Sequence, residues 1–155
     1  MFVRTPSGRK RWNVLGALDF VTKELTTISN TTYINSETVC ELLRKLRADC
    51  VSLPITLVLD NASYQRCQLV QDLAKELCIE LMFLPSYSPN LNLIERLWKH
   101  VKKKTLNGKY YETFADFHQA IENTLGNLNS TNQTEMQSLI TRNFQLFDNQ
   151  TFLAA

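Results

Sequence analysis

Two carboxylates are the residues of this sequence whose placement could support chemistry. Asp60 directly follows an apolar run, and Glu95 lies near the start of an amphipathic basic segment. Two carboxylates that meet in one cleft repel each other unless a cation lies between them. Oxygen ligands without a cysteine or histidine cluster favour Mg²⁺ or Mn²⁺. We therefore take Asp60 and Glu95 as candidate catalytic residues and metal ligands, because a pair of such ions would activate a water or a DNA 3′-hydroxyl at a phosphodiester.

Each carboxylate also has an ordinary structural explanation. An aspartate at the end of a strand often only caps the next helix. Glu95 stands at the third helical position behind Asn92, where the glutamate of a capping box reaches back to the N–H of the capping residue. Spacing alone leaves both alternatives open.

The stretch 84–98, LPSYSPNLNLIERLW, must position Glu95. Its two prolines bias their neighbours toward extended backbone, which predicts an ordered loop. Asn92 is a good helix N-cap. The helix behind it has an apolar stripe, and a rotation of about 100° per residue places Glu95 at the border of that stripe. The stripe consists of Ile94, Leu97, Trp98 and Val101.

The segment 55–60, ITLVLD, must position Asp60. Its continuous hydrophobicity predicts a strand that is covered on both faces, as in a parallel sheet. Residues 64–77 read as a helix and residues 79–84 as a second apolar strand, so the order is that of a right-handed βαβ unit. Asp60 then lies at the carboxyl end of a strand, where ligand sites gather in open α/β sheets, and the crossover brings Glu95 toward the same edge.

The flanking segments predict further elements. Residues 12–20 and 25–28 form a β-hairpin with its turn near Thr22 and Lys23, which places Asp19 close to the turn. Asn35 or Ser36 caps a helix with one apolar face. Two aromatic-rich helices follow near 114–125 and 136–147, with a polar linker at 129–133 between them.

Length and composition indicate one domain. The chain has 155 residues, of which 44% are hydrophobic, and this is enough for a single core. We expect one domain over 1–155, with its core at 1–106 and C-terminal helices at 107–155. The four cysteines have no CxxC spacing and indicate reduced thiols in a cytosolic protein. The sequence has neither a signal-peptide pattern nor a run of about 18 apolar residues, so we expect no membrane segment.

The basic residues are clustered although the net charge is only +2. Clustered basic charge indicates a polyanionic partner. A solvated helix face is the alternative for each run alone. Two runs beside a candidate metal site favour nucleic acid. The candidate nucleic-acid-binding residues are Arg9, Lys10 and Arg11 in the first cluster, and Arg96, Lys99, Lys102, Lys103 and Lys104 in the second.

Two motifs together resemble a known family. TLVLDNASYQ followed by LPSYSPNLNLIERLW is similar to the second half of the DDE catalytic domain of mariner-superfamily insertion-sequence transposases. In that family the second carboxylate follows an apolar strand and precedes Asn-Ala, and the third lies in a Leu-Pro-x-Tyr-Ser-Pro-x-Leu-Asn-x-Ile-Glu motif. Asp60 and Glu95 match these positions with 34 residues between them, the family's usual interval. The segment WNVLGALD also fits, so the resemblance covers most of 1–147.

The resemblance implies an α/β, RNase H-like fold, which is a mixed sheet flanked by helices, with C-terminal helices behind it. It implies metal-dependent cleavage of DNA at transposon ends, followed by strand transfer into target DNA. Mg²⁺ or Mn²⁺ would be the cofactor, with two ions in the complete site. Trp98 matches a tryptophan of the family's catalytic helix and is interpreted as a packing residue.

Two features depart from the family pattern. Gln65 stands where many relatives carry a histidine. The family's first carboxylate lies on a central strand before the segment that matches Trp12. Residues 1–11 contain no acid, and Asp19, near the hairpin turn, is the only early candidate. We therefore expect the first central strand to be missing, which leaves two sheet edges unpaired. We expect the family's helix-turn-helix module for transposon ends to be missing as well.

The resulting hypothesis is a truncated or frameshifted transposase fragment that is inactive alone and lies in the cytoplasm with the nucleoid. Its expected partners are transposon and target DNA, and the full-length transposase or a missing N-terminal half. A homodimer is compatible with the sequence. The alternative is a non-catalytic regulator that binds DNA or a transposase. A different RNase H-like nuclease is a third hypothesis, which the proline- and asparagine-rich loop favours less.

Overall fold

The computed structural model describes residues 2–4, 11–85, 92–130 and 140. Among these residues three strands come first, then helices and strands alternate up to the fifth strand, and two consecutive helices follow. A 3-10 turn, Ser63–Gln65, lies before the second helix. The described elements are, in chain order, β1 (Phe2–Arg4), β2 (Arg11–Leu18), β3 (Leu25–Asn30), α1 (Ser36–Asp49), β4 (Ile55–Leu59), α2 (Gln68–Glu76), β5 (Ile79–Phe83), α3 (Leu93–Leu106) and α4 (Phe114–Ser130).

The predicted hairpin is confirmed as the antiparallel pair β2–β3, in which Leu18 pairs with Leu25. Its turn contains Lys23 with a φ of 66°, a left-handed conformation. The Asp19 carboxylate closes this turn, because Oδ1 accepts hydrogen bonds from the N–H groups of Val21 at 2.6 Å and Thr22 at 2.9 Å. These hydrogen bonds give the Asp19 carboxylate a structural role in closing the turn.

The predicted βαβ unit is confirmed as the parallel pair β4–β5 with α2 between the strands. The helix predicted over 64–77 is shorter, because residues 63–65 form the 3-10 turn and α2 begins only at Gln68. Helices α1 and α2 pack on each other and cover one face of this pair. The prediction that β4 is covered on both faces is wrong for its outer face, where Val58 is 47% exposed and Met82 of β5 is 50% exposed. Continuous hydrophobicity overestimated the cover because α1 and α2 contribute to one apolar cluster on one side. That cluster consists of Val39, Cys40, Leu43, Val70, Ala74 and Ile79.

The described strands form two small sheets. β1, β2 and β3 make one antiparallel sheet in that order, and β4 and β5 make the other. β1 pairs only with Arg11–Asn13 of β2. Within the described ranges, therefore, no strand joins β2 to β4, and the expected mixed sheet is present as two pieces.

A second core lies between the antiparallel sheet and the helices α3 and α4. Trp98 of α3 lies against Gly16 of β2, where a Cβ would be 2.9 Å from ring atoms Cη2 and Cζ2. α4 continues to Ser130, so the predicted polar linker begins inside this helix. The predicted helix at 136–147 lies outside the described residues except for Ile140, which is buried in this core. The buried members are Val14, Leu25, Leu97, Trp98, Val101, Phe117, Ile121, Leu125, Leu128 and Ile140. None of the described helices has the length and apolar character needed to cross a membrane.

Candidate active site

Asp60 lies where the sequence predicts, directly behind the carboxyl end of β4. Its side chain is exposed. The N–H of Leu84 donates to the carbonyl of Leu59 at 2.9 Å, which extends the pairing of the two strands to this point. The Asp60 carboxylate accepts a 2.6 Å hydrogen bond at Oδ1 from the side-chain amide of Asn92. The end of β4 is thus tied directly to the start of α3.

Glu95 lies in the first turn of α3 and is half-buried. The predicted cap is confirmed, because Asn92 Oδ1 accepts from the Ile94 N–H at 3.3 Å. The Glu95 N–H donates to the Asn92 carbonyl at 3.2 Å. The described contacts of this cap include no capping-box bond from the Glu95 carboxylate, whereas α1 has a complete capping box between Asn35 and Thr38. The structural alternative for Glu95 is therefore weakened, and its assignment as a metal ligand stays a prediction.

The direction of α3 is fixed by its packing on β2. Trp98, one turn after Glu95, is 5% exposed and lies on Gly16, and Ile94 Cδ1 lies 3.4 Å from where a Cβ of residue 16 would be. Only a glycine leaves room for the ring at this distance. The packing interpretation of Trp98 agrees with these contacts, and it determines where the first turn of α3 lies relative to the sheet.

Tyr64 is a residue that the sequence reasoning missed. It follows Asp60 by four residues, in the 3-10 turn. Burial raises the pKa of its phenol, and the negative charge of Asp60 raises this pKa further. The phenol therefore keeps its proton to higher pH than a free tyrosine does, and it is a hydrogen-bond donor in the neighbourhood of Asp60. In the sequence, the one signal for a role of Tyr64 is its position four residues after Asp60 in the DNASY motif.

Gln65, which replaces the histidine of many relatives, is 6% exposed. Its N–H donates to the Ala62 carbonyl at 3.0 Å. Its buried side-chain oxygen Oε1 has no hydrogen-bond partner among the described residues. A buried polar atom without a hydrogen-bond partner is unfavourable, so the Gln65 side chain lowers the stability of the fold at this position.

The basic residues of α3 lie at different positions along the helix relative to Glu95. Lys99 and Lys102 follow Glu95 by four and seven residues, a spacing that places them on the Glu95 side of the helix. Lys103 and Lys104 are exposed in the last turn, and Arg96 is half-buried.

The first predicted basic cluster is only partly described. The Arg11 guanidinium lies 4.5 Å from the ring centroid of Tyr33, at the edge of the antiparallel sheet. Arg9 and Lys10 lie outside the described residues, as do residues 86–91, the greater part of the predicted ordered loop. Arg11 is therefore the one residue of this cluster whose side chain can be placed.

The described residues contain no group of three or more histidine, cysteine, aspartate or glutamate side chains that could hold a metal ion. Asp19, the early candidate for a third carboxylate, lies at the β2–β3 turn and bonds to that turn. The candidate site therefore consists of Asp60 and the first turn of α3, joined through Asn92, with Tyr64 near Asp60 and exposed lysines further along α3.

The family model for the DDE superfamily endonucleases matches residues 2–118, and the chain belongs to this family. No curated protein matches the sequence. The resemblance to DDE transposases, carried by the motifs around Asp60 and Glu95, is thereby confirmed at the level of the family.

Solved structures agree on the fold. The chain resembles the catalytic domain of Mos1 transposase, solved with raltegravir and Mg, at a TM-score of 0.65 and 13% identity, over 96% of this chain and 82% of that chain. It resembles the catalytic core domain of BIV integrase at a TM-score of 0.59 and 16% identity, over 84% of this chain and 81% of that chain. It also resembles a chain of the simian T-cell lymphotropic virus intasome in complex with PP2A regulatory subunit B56 gamma, at a TM-score of 0.59 and 16% identity. This match covers 78% of this chain and only 44% of that chain. The predicted RNase H-like fold is confirmed.

Proposed function

We propose that this chain is part of a mariner-superfamily insertion-sequence transposase that cleaves DNA phosphodiesters at transposon ends and joins them to target DNA. The observation that carries this proposal is the Asn92 bridge, which brings the carboxyl end of β4 and the first turn of α3 together. Family membership supports the endonuclease chemistry. The match of the 34-residue interval between Asp60 and Glu95 to the transposase motifs supports the narrower class.

The donor set of the site fits Mg²⁺ or Mn²⁺, because Mg²⁺ is usually bound through one or two carboxylates and completes its shell with water and substrate phosphate. Asp60 and Glu95 would hold the ions. When bound, such ions activate the attacking oxygen and stabilise the leaving oxygen of a phosphodiester. The chain itself positions the two carboxylates, and the Tyr64 phenol can donate a hydrogen bond close to Asp60. The exposed lysines of α3 would neutralise the phosphates of the bound DNA.

We expect DNA binding to depend on the Glu95 side of α3. Replacing Lys99 and Lys102 together with alanine should lower the salt dependence of DNA affinity by about 2 in the log–log slope, because each lost phosphate contact contributes about 0.9. The measurement is fluorescence anisotropy with a short DNA duplex at several salt concentrations. The matched control removes two exposed cations elsewhere, with Arg44→Ala on α1 and Lys75→Ala on α2. An equal loss of slope in the control would show that net charge, not this surface, binds DNA.

We propose further that cleavage needs a third carboxylate beyond Asp60 and Glu95, and that this chain alone does not cleave DNA. The engagement of Asp19 in the hairpin turn supports this. Supercoiled plasmid incubated with the purified chain and Mg²⁺ or Mn²⁺ should remain unnicked. A longer version encoded with the DNA upstream of the Met1 codon should nick the plasmid and lose the activity on Asp60→Ala or Glu95→Ala. Nicking by the present chain that disappears on Asp19→Asn would instead identify Asp19 as the third carboxylate.

A second candidate function is a non-catalytic regulator that binds DNA or a transposase. The exposed lysines on α3 favour it, because they need no metal to bind a DNA backbone. Under this alternative, Glu95→Gln leaves DNA affinity and its salt dependence unchanged, and even the longer version does not nick. As a transposase-derived protein it would act on the nucleoid, with DNA and a transposase as its partners.

A further inference from the structure

Asn92 makes three contacts that meet at the candidate site. Its side-chain nitrogen Nδ2 donates to Asp60 Oδ1 at 2.6 Å. Its side-chain oxygen Oδ1 accepts from the Ile94 N–H at 3.3 Å. Its backbone carbonyl accepts from the Glu95 N–H at 3.2 Å. One residue therefore connects the carboxylate at the end of β4 with the backbone of the turn that carries Glu95.

Helix capping alone does not explain an asparagine at this position. Serine, aspartate and asparagine are about equally good N-caps. Asparagine differs because its amide accepts through oxygen and donates through nitrogen at the same time. Serine has a single oxygen on Cβ, and when that oxygen accepts from the Ile94 N–H it cannot also extend to Asp60. Aspartate would place a second negative charge against Asp60.

The hydrogen bond from Asn92 to Asp60 determines the orientation of the Asp60 carboxylate. Asp60 is exposed at a strand end, so without a partner its side chain would exchange among rotamers. A hydrogen bond from an amide to an ionised carboxylate is charge-assisted and short, as observed here. It holds Oδ1 and thereby fixes the direction of the other carboxylate oxygen. Hydrogen-bond partners of metal-ligating carboxylates typically change metal affinity or activity by about 10- to 100-fold when they are removed.

We infer that Asn92 is a positioning residue that couples Asp60 to the first turn of α3, so that the two carboxylates face the same metal site. This inference rests on the proposed function, because it assumes that Asp60 and Glu95 bind the metal. Asn92 touches neither the metal nor the DNA in this role. It acts through its amide on Asp60 and through its backbone carbonyl on the turn of Glu95.

The test compares two substitutions by their effect on Mn²⁺ binding and on thermal unfolding. Asn92→Ser keeps a capping oxygen and removes the amide donor, and Asn92→Ala removes both. The dissociation constant for Mn²⁺ is measured with the purified full chain from the free-ion signal in electron paramagnetic resonance, so that no catalytic activity is needed. Asn92→Ser should weaken Mn²⁺ binding about tenfold while the unfolding midpoint stays near that of the wild type. Asn92→Ala should weaken binding equally and also lower the midpoint, because the cap is lost.

Three results would overturn the inference, and they are distinct from one another. Wild-type Mn²⁺ affinity in Asn92→Ser would show that Asn92 is only a helix cap. An affinity loss in Asn92→Ser that is accompanied by the same drop in midpoint as in Asn92→Ala would show that stability, not positioning, controls binding. Unchanged Mn²⁺ affinity in Asp60→Asn and Glu95→Gln would refute the metal site itself, and the proposed function would then fail first.

Discussion

Replacing Arg47 with alanine should lower the free energy of unfolding by about 3 kcal/mol and the unfolding midpoint by about 10 °C. The Arg47 guanidinium donates to four backbone carbonyls. Nε bonds to Leu77 at 2.8 Å, Nη1 to Cys50 at 2.9 Å and to Leu53 at 3.0 Å, and Nη2 to Cys78 at 2.8 Å. Hydrogen bonds that involve a charged group contribute about 1.5–3 kcal/mol each in favourable cases. Partial exposure of these carbonyls reduces the sum, because water replaces some of the lost bonds.

These four carbonyls belong to segments that are distant in sequence. Cys50 ends α1, Leu53 lies in the loop that leads to β4, and Leu77 and Cys78 lie between α2 and β5. A single side chain therefore fastens the ends of both helices at the point where β4 and β5 begin. Because β4 carries Asp60 at its far end, loss of this contact should also loosen the strand pair that supports the candidate site.

Two variants separate the fork geometry of Arg47 from its charge. Arg47→Lys keeps the charge but replaces the planar five-donor group by one ammonium, which cannot bond to carbonyls in the same arrangement. It should recover at most about half of the loss. Arg44→Ala, one turn earlier on α1 and exposed, removes the same charge without these bonds and should change stability by less than about 0.5 kcal/mol. Equal destabilisation by Arg44→Ala and Arg47→Ala would contradict this account; chemical denaturation followed by far-UV circular dichroism provides the measurement.

Local patterns predicted the elements of this fold because their signals lie within a few residues. The hairpin around Lys23, the strand before Asp60 and the cap at Asn92 each depend on short-range spacing and on ordinary turn or capping chemistry. The placement of Asp60 and Glu95 in one neighbourhood follows from the βαβ crossover, which is a general rule of chain topology. Sequence alone could therefore nominate both carboxylates, although their function as metal ligands stays a prediction.

These local patterns could not predict contacts between segments that are distant in sequence. The outer face of β4 was expected to be covered, but α1 and α2 lie on one side, and no local signal tells on which side a helix packs. Asn92 was interpreted only as a cap, because its bond to Asp60 joins residues 32 apart in sequence. The hydrogen bonds of Arg47 to the Leu77 and Cys78 carbonyls and the packing of Trp98 on Gly16 also join residues that are distant in sequence. Such contacts decide how accurately the carboxylates are positioned.

Replacing Gly16 with alanine should destabilise the protein by about 2 kcal/mol, because a Cβ at this position would lie 2.9 Å from two ring atoms of Trp98. The ring cannot move away easily, since Trp98 is 5% exposed and surrounded by the core of α3 and α4. The strain should therefore displace α3 from β2, and with it the turn that carries Glu95. The free energy of unfolding from urea titration and the near-UV circular dichroism of the tryptophans measure the two effects.

Gly126→Ala is the matched control for this prediction. It makes the same chemical change inside α4, where a Cβ would meet nothing within 4 Å. Because alanine is favoured over glycine in a helix interior, this variant should be more stable than the wild type by about 0.5–1 kcal/mol. The same substitution thus has opposite expected signs at the two glycines.

A double-mutant cycle with Trp98 identifies the cause of the loss at position 16. Trp98→Phe removes the ring atoms that the new methyl group would approach, although it has its own cost in packing. Gly16→Ala should therefore cost at least about 1 kcal/mol less in the Trp98→Phe protein than in the wild type, an interaction energy of the size expected for residues in contact. If the cost of Gly16→Ala is the same in both proteins, the close approach of the helix to β2 is not what requires glycine, and α3 must be positioned by its other contacts.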